Sequence, residues 1–461
     1  MYLYKQWITR SMIFIPAISL FLNLFSPATT ILSFFVVAFW ALAGRQQAIQ
    51  ALFMSWLLVD LNPGLNAMQL SVNASGRYLV ILAAIVSVFL HFNVKMKYFV
   101  WLSLLLGIFF IIHSLFVSPF PDVSILKSAI FISTFITLLS AWSSLNLFQR
   151  TQAEVFIFGG MIVVVLISFA FFVAGIDIGY LRNGTGFQGI LNHPQTFGPF
   201  IALTLAWIIG RFLSTVDKKY SYLTLIYLCA YLIIASESRT AAGAIFLGVF
   251  FSLATILLIL RMNVVRVIPR ISTNFFKVIF FITSALIIGF ISLSSFFTDF
   301  IIKKTNHDYE GLVTELKEGR IGQGRIELAK EMTTNIRKTP LSGIGFGIGS
   351  SPREMKIVRD PYFDLPISAP IEKGIMPLAI LEEVGILGAI LVFSWVAIMF
   401  RRAWQSGPTQ FIVISTAFMV NLGQNIFFST GGLGLLVILL VTWSIAPRPL
   451  NKNISKQKNI G

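Results

Sequence analysis

The stretch YLTLIYLCAYLIIASESRTAAGAIFLGVFFSLATILLIL, residues 222 to 260, decides the fold. Two apolar runs, 222–236 and 240–260, are separated by a short polar corner that holds Glu237 and Arg239. A bilayer-spanning helix needs about 20 mostly apolar residues. The second run meets that length, the first approaches it, and the corner between them reads as a turn at a membrane surface. The same alternation continues in both directions. Further apolar runs fall at 12–25, 28–44, 48–61, 78–92, 98–118, 125–142, 155–174, 195–213, 278–298, 375–400, 409–428 and 431–446.

Composition agrees. Hydrophobic residues make up 56% of the 461 and charged residues only 12%, about half the charge of an ordinary soluble domain. Mean hydropathy is +0.83. The chain therefore reads as an all-α polytopic integral membrane protein of about 12–14 transmembrane helices, with one large outer-face loop containing short helices. Three parts are expected: an N-terminal transmembrane bundle over 1–298, the large loop over 299–371, and C-terminal helices with a basic tail over 372–461.

Lysines and arginines orient the threading, because short cytoplasmic connections collect them. With the N-terminus inside, the inner connections hold Lys5, Arg10, Arg45, Lys95, Lys97, Arg150, Arg211, Lys218, Lys219, Arg261, Arg266, Arg270, Lys277, Arg401, Arg402 and the basic tail. The short outer connections hold only Arg77, Lys127, Arg182 and Arg239. This places 299–371 outside and both termini in the cytoplasm. The first run follows Lys5 and Arg10 as a signal peptide would. A second run follows at once without a clear small-residue cleavage site, so 12–25 reads as an uncleaved span. The net charge of +16 then belongs to topology and attraction to anionic lipid. The inner loops are too short for a nucleic-acid-binding domain. Cys229 is the lone cysteine, which excludes an intramolecular disulfide and any metal site built on several cysteines.

Four stretches stand out on the outer side. Arg239 opens the 240–260 run beside Glu237. An arginine at a membrane interface is often a snorkelling side chain, yet its planar fork of donors also suits phosphate. In RNGTGFQGILNHPQTFG, 182–198, a glycine-rich turn follows Arg182, and Pro194 stands at a tolerated first-turn position. His193, Gln195 and Thr196 gather at that helix N-terminus, where unpaired N–H groups favour an anion. In GRIELAKEMTTNIRKTPLSGIGFGIGS, 324–350, apolar residues at helical spacing predict a short amphipathic helix from 325 to about 337, which Pro340 terminates. The alternating glycines after it lack the preceding strand of a dinucleotide-binding loop. They read as a tight turn that lets backbone approach a ligand or the bilayer. In APIEKGIMPLAILEEVGILG, 369–388, Glu372 and Lys373 lie at the mouth of a span. Glu382 and Glu383 lie inside it, either as a packing pair or as a functional one.

Together these stretches resemble the O-antigen ligase and Wzy-type O-antigen polymerase family of bacterial envelope glycosyltransferases. The likeness rests on the turn from Gly189 to Pro194, Ser238-Arg239 at an outer helix start, and Gly324-Arg325 in the outer loop. It continues in TPLSGIGFG, 339–347, and in the helix entry of Glu383, Gly385 and Gly388. It covers about 180 to 390. The family's ligases usually carry a histidine about nine residues before that glutamate, and Gly374 stands here instead, which favours a polymerase.

The resemblance implies an undecaprenyl-diphosphate-linked oligosaccharide as donor, the lipid bilayer as surroundings, and a chain-length regulator or flippase as protein partner. It implies no cofactor, no metal and no nucleic acid. The absence of an Asp-x-Asp pair from the sequence agrees with a metal-independent, lipid-linked donor. It further implies that Arg239 and Arg325 clasp the diphosphate with help from Arg182. Glu372 is the implied general base with His193 as the second candidate, and Glu237, Lys373 and Glu383 are supporting residues. A ligase is the near alternative. A lipid-linked-oligosaccharide flippase is the alternative of another class, although no internal repeat is evident.

Overall fold

The structure is a computed structural model that describes residues 2–65, 70–90, 96–180, 186–215, 219–260, 323–359, 364, 366–369 and 373–447. Among them it contains fourteen helices. They are α1 (Tyr2–Asn23), α2 (Pro27–Leu42), α3 (Arg45–Asp60), α4 (Leu70–Phe89), α5 (Lys97–Val117), α6 (Pro121–Ser144) and α7 (Leu147–Val173). Then follow α8 (Pro194–Ser214), α9 (Lys219–Ala235), α10 (Arg239–Leu260), α11 (Gln323–Lys338), α12 (Met376–Ser406), α13 (Pro408–Asn421) and α14 (Leu433–Ile445). The chain is thus an all-α polytopic membrane protein. Six helices are long and apolar enough to cross a membrane, and five shorter ones are apolar.

Local chemistry sets the helix starts. Ser26 and Thr29 form a reciprocal capping box before α2, and Asn146 and Gln149 form another before α7. Proline occupies the first turn of α2, α6, α8, α12 and α13, where its missing N–H leaves nothing unpaired.

Packing divides the helices into an interior and a rim. Every residue of α3 except Arg45 and Val59 is buried, and so is every residue of α14. Helix α13 is nearly as enclosed. Around them α5, α7, α10 and α12 turn large apolar side chains outward, among them Trp101, Phe116, Val155, Phe250, Leu387 and Ile390. Exposed hydrocarbon of this kind suits lipid. The apolar run at 48–61 is therefore a central core helix, able to carry Gln46, Gln47 and Gln50 because protein surrounds it.

Two expected spans differ. The run 409–428 stops being helical at Asn421, whose Oδ1 accepts from the N–H groups of Ile426 and Phe427 at 2.9 and 2.8 Å. Residues 422–432 then return as irregular backbone with Phe427 buried. The run 375–400 is helical on both sides of a break at Gly385 (φ 64, ψ −176). The expected span 278–298 lies outside the described residues. The amphipathic helix expected at 325–337 is α11. Beyond it, Val358–Arg359 pairs with Pro366–Ser368 as a two-stranded antiparallel ladder, β1 and β2.

Candidate functional site

The break in α12 is filled by the glycine-rich stretch that follows α11. In an unbroken helix the carbonyls of Glu382 and Glu383 would accept from residues four further on. Instead the Ile344 N–H donates to Glu382 O at 2.8 Å and the Gly345 N–H to Glu383 O at 2.9 Å. The Ile386 N–H in turn donates to Pro340 O at 2.9 Å. Backbone at membrane depth has to be satisfied within the protein, and irregular segments persist there only when buried or lining a cavity. Residues 340–345 meet that requirement for α12. Gly343 (φ 69) and Gly385 (φ 64) make the approach possible. A Cβ at Gly343 would lie 2.6 Å from the Glu383 carbonyl, and one at Gly385 would overlap the Leu341 carbonyl oxygen. The glycines expected to bring backbone against a ligand or the bilayer thus bring it against a broken helix.

Phe346 fixes the same stretch from the other side. Its ring stacks on Phe110 of α5 with centroids 4.2 Å apart and meets Phe428 edge-on at 5.8 Å. His113 of α5 bonds the Ser342 carbonyl.

A closed box of charge sits beneath. Lys373 Nζ lies 2.8 Å from Glu382 Oε2 and 3.0 Å from Glu383 Oε1, and Lys373 and Glu382 are almost fully buried. Glu382 also accepts from Asn335 Nδ2 of α11 at 2.7 Å and from Ser350 Oγ at 3.0 Å. Glu383 Oε2 accepts from the Gly347 N–H at 2.7 Å. Lys127 of α6 donates to the carbonyls of Gly347 and Ala369 at 2.9 and 2.8 Å. Two lysines thus stand against two carboxylates, joined through the Gly347 peptide. Above the box, the polar face of α11 and Ser350–Ser351 line an open groove of about 410 Å³, with Lys330, Lys338 and Glu331 on its walls. The paired strands are tied down by Arg359, whose guanidinium meets Asp122 at 2.6 Å.

The other stretches singled out in the sequence lie at the same end of the bundle. The Phe187 N–H donates to Ala235 O at 2.9 Å, joining the 186–193 turn to the 235–239 corner. A Cβ on Gly423 would press on Thr240, so the segment after α13 touches the start of α10. The same segment reaches the charge box, where the Asn425 N–H donates to Lys373 O at 3.0 Å. Segments far apart in the chain therefore form one connected surface.

Individual candidates fall as follows. Lys373 and Glu383 are brought together in the box. His193 is the N-cap of α8, with Nδ1 accepting from the Gln195 N–H at 3.0 Å. Arg239 is exposed at the first residue of α10, and Glu237 is half-buried before it with left-handed backbone (φ 53). Burial raises the pKa of the nearby Tyr180 hydroxyl, and the Tyr231 and Glu237 side chains push it the same way. Arg325 lies in the first turn of α11; its side chain is outside the described residues. Arg182 and Glu372 lie outside them entirely.

Sequence reasoning missed Lys127 and Asn335 as partners of the box. Their contacts span 220 and 47 residues, and no local pattern announces such a pairing. No family model matches the chain, and no curated protein matches it.

Proposed function

We propose that the chain is a membrane glycosyltransferase of the bacterial cytoplasmic membrane, polymerising undecaprenyl-diphosphate-linked oligosaccharide repeat units at the outer face. One observation carries this reading. The separate stretches on which the family resemblance rests meet at a single end of the bundle, around a broken helix whose charges are already neutralised. An acceptor-sugar hydroxyl attacks the anomeric carbon of the donor. The bond from that carbon to the phosphate oxygen breaks, and the lipid diphosphate departs with the electron pair. That leaving group is a good one, so the main task is to hold its charge. Arg239 and Arg325, with Arg182, are suited to it through bidentate hydrogen bonding. Glu372, the residue before Lys373 in the sequence, takes the acceptor proton, with His193 as second choice. The Lys373–Glu382–Glu383 box keeps the entry to α12 and the loop after α11 in one geometry.

Gly374 in place of histidine supports polymerisation over ligation. The broken α12 also supports a second reading, since interrupted helices with internal charges occur in transporters. Reconstituted protein given a lipid-linked repeat unit separates the two. An enzyme lengthens the glycan, whereas a flippase only moves the unit across the membrane. Arg239→Ala and Arg325→Ala should each abolish lengthening while leaving insertion intact. Normal chain lengths in both variants would refute the clasp, as would labelling that finds residue 239 on the cytoplasmic side.

A further inference from the structure

A second polar site lies on the N-terminal half of the bundle, at the same end. Asp60, the last residue of α3, is 2% exposed. Its Oδ1 accepts from Asn192 Nδ2 at 3.1 Å, while Oδ2 makes no close hydrogen bond among the described residues, with the Trp56 indole and the Arg77 charge nearby. Arg77 of α4 is 8% exposed, and its guanidinium lies over the Tyr78 ring at 5.0 Å. Among the described residues no acceptor is bonded to it, and its Nε is fully enclosed without a partner. Both groups reach the same two-glycine turn. A Cβ on Gly431 would lie 3.5 Å from Arg77 Nη1, and one on Gly432 would lie 3.9 Å from Asp60 Oδ1. A buried carboxylate and a buried guanidinium thus flank one turn; their charges attract, yet among the described residues no hydrogen bond joins them and each keeps hydrogen-bonding capacity unused.

Ionisable groups inside a membrane protein are costly, and unused capacity there marks a ligand's place. An oxyanion would satisfy Arg77 but face the Asp60 carboxylate. A cation would satisfy Asp60 but face the guanidinium. A neutral group offering both an O–H donor and an oxygen lone pair satisfies both, and adjacent sugar hydroxyls have that character. We propose that Asp60, Arg77 and the Gly431–Gly432 turn form a sugar-recognition site. One hydroxyl of a vicinal diol donates to Asp60 Oδ2, and its neighbour accepts from the Arg77 fork. The site deepens the proposed function only in naming a neutral glycan unit as its occupant; its binding is measured without turnover.

The experiment is saturation-transfer NMR on the full-length protein in detergent, with a set of neutral methyl hexosides and N-acetylhexosaminides. At least one should bind the wild type, and Asp60→Asn and Arg77→Gln should each weaken that binding about tenfold or more. Gly431→Ala is the variant that spares the fold. Its methyl group would cover the guanidinium edge and press on Ser429 Oγ at 3.2 Å, a contact eased by a few tenths of an ångström. It should weaken binding similarly at an unchanged melting temperature. The site is overturned if no sugar of the set binds, or if Gly431→Ala binds as the wild type does. Inorganic phosphate displacing the sugar, or binding with the same dependence on Arg77, overturns it as well. A wild type that lengthens lipid-linked glycan yet shows no such binding loses this site alone.

Discussion

Arg150 and Lys373 are both buried cations, at opposite ends of the bundle, and they are used in opposite ways. Arg150 donates to the carbonyls of Ala446, Pro447 and Trp443 at 3.2, 2.7 and 3.3 Å, and its Nε meets Glu154 at 3.0 Å. Glu154 also accepts from Trp443 Nε1 at 2.9 Å. Those carbonyls are the ones that the end of α14 leaves without intrahelical partners, and a cation there also suits the helix dipole. The charge completes a helix. At the other end α12 is interrupted, and Lys373 balances two carboxylates that an ordinary span would not carry. Charge that finishes a helix is structural, whereas charge for which a helix is broken points to function.

The sharpest way to break this contrast is Lys373→Met. It leaves Glu382 and Glu383 side by side without their cation, and removing one partner of a buried ion pair costs about 3–5 kcal/mol. We expect poor accumulation in the membrane and a much lower melting temperature in detergent. The double variant Lys373→Met, Glu382→Gln should recover much of that loss, because Lys127 and Glu383 then still balance each other. If Lys373→Met melts like the wild type, the box is not closed.

Gly385→Ala comes next. The left-handed backbone is unfavourable for alanine, at roughly 1–3 kcal/mol for such strain. The added methyl also overlaps the Leu341 carbonyl oxygen. The expected result is displacement of the 340–347 stretch, seen as proteolytic nicking there, with stability lowered by about 3 kcal/mol. Unchanged protease resistance would show that the stretch does not depend on the break.

Arg150→Met should cost about 2 kcal/mol, since hydrogen bonds to charged groups are worth about 1.5–3 kcal/mol each and water at the helix end replaces part of them. Its melting temperature should fall, while activity per folded molecule stays at the wild-type level. Loss of specific activity would remove the distinction between the two ends.

The same contrast explains what the sequence reveals. Long spans are legible because hydrocarbon demands about 20 apolar residues whatever the neighbours are, and α11 because Leu328, Met332 and Ile336 repeat at helical spacing. The interior position of α3 is hidden, since a short run with three glutamines looks like a poor span until its neighbours are known. The break at Gly385 is hidden too. Glycine is common in membrane helices, and its left-handed backbone here is set by carbonyls more than 40 residues earlier in the chain. Asn421 ends α13 by a side-chain bond that no hydropathy window registers. For the site, Lys373 and Glu383 are visible as charges beside apolar runs. Asp60 and Arg77 pass as ordinary residues at the ends of apolar runs, because nothing local shows that both lie against the Gly431–Gly432 turn.

The smallest expected change in stability is the most informative about function. Asn335→Ala removes the donor that links α11 to Glu382 Oε1 at 2.7 Å and to Ser350 O at 2.8 Å. Glu382 keeps Lys373 and Ser350, so the loss should be only about 1.5 kcal/mol. Arg325 sits on the same helix, however, and under the proposed function it has to meet a phosphate in a fixed position. A helix free to shift by about an ångström weakens such positioning by about a hundredfold. Asn335→Ala should therefore fold nearly normally and yet lose most glycan extension, whereas Arg150→Met does the reverse. A variant that extends glycan at the wild-type rate would show that α11 needs no tie to the broken helix, and the charge box would then be structural like its counterpart at the other end.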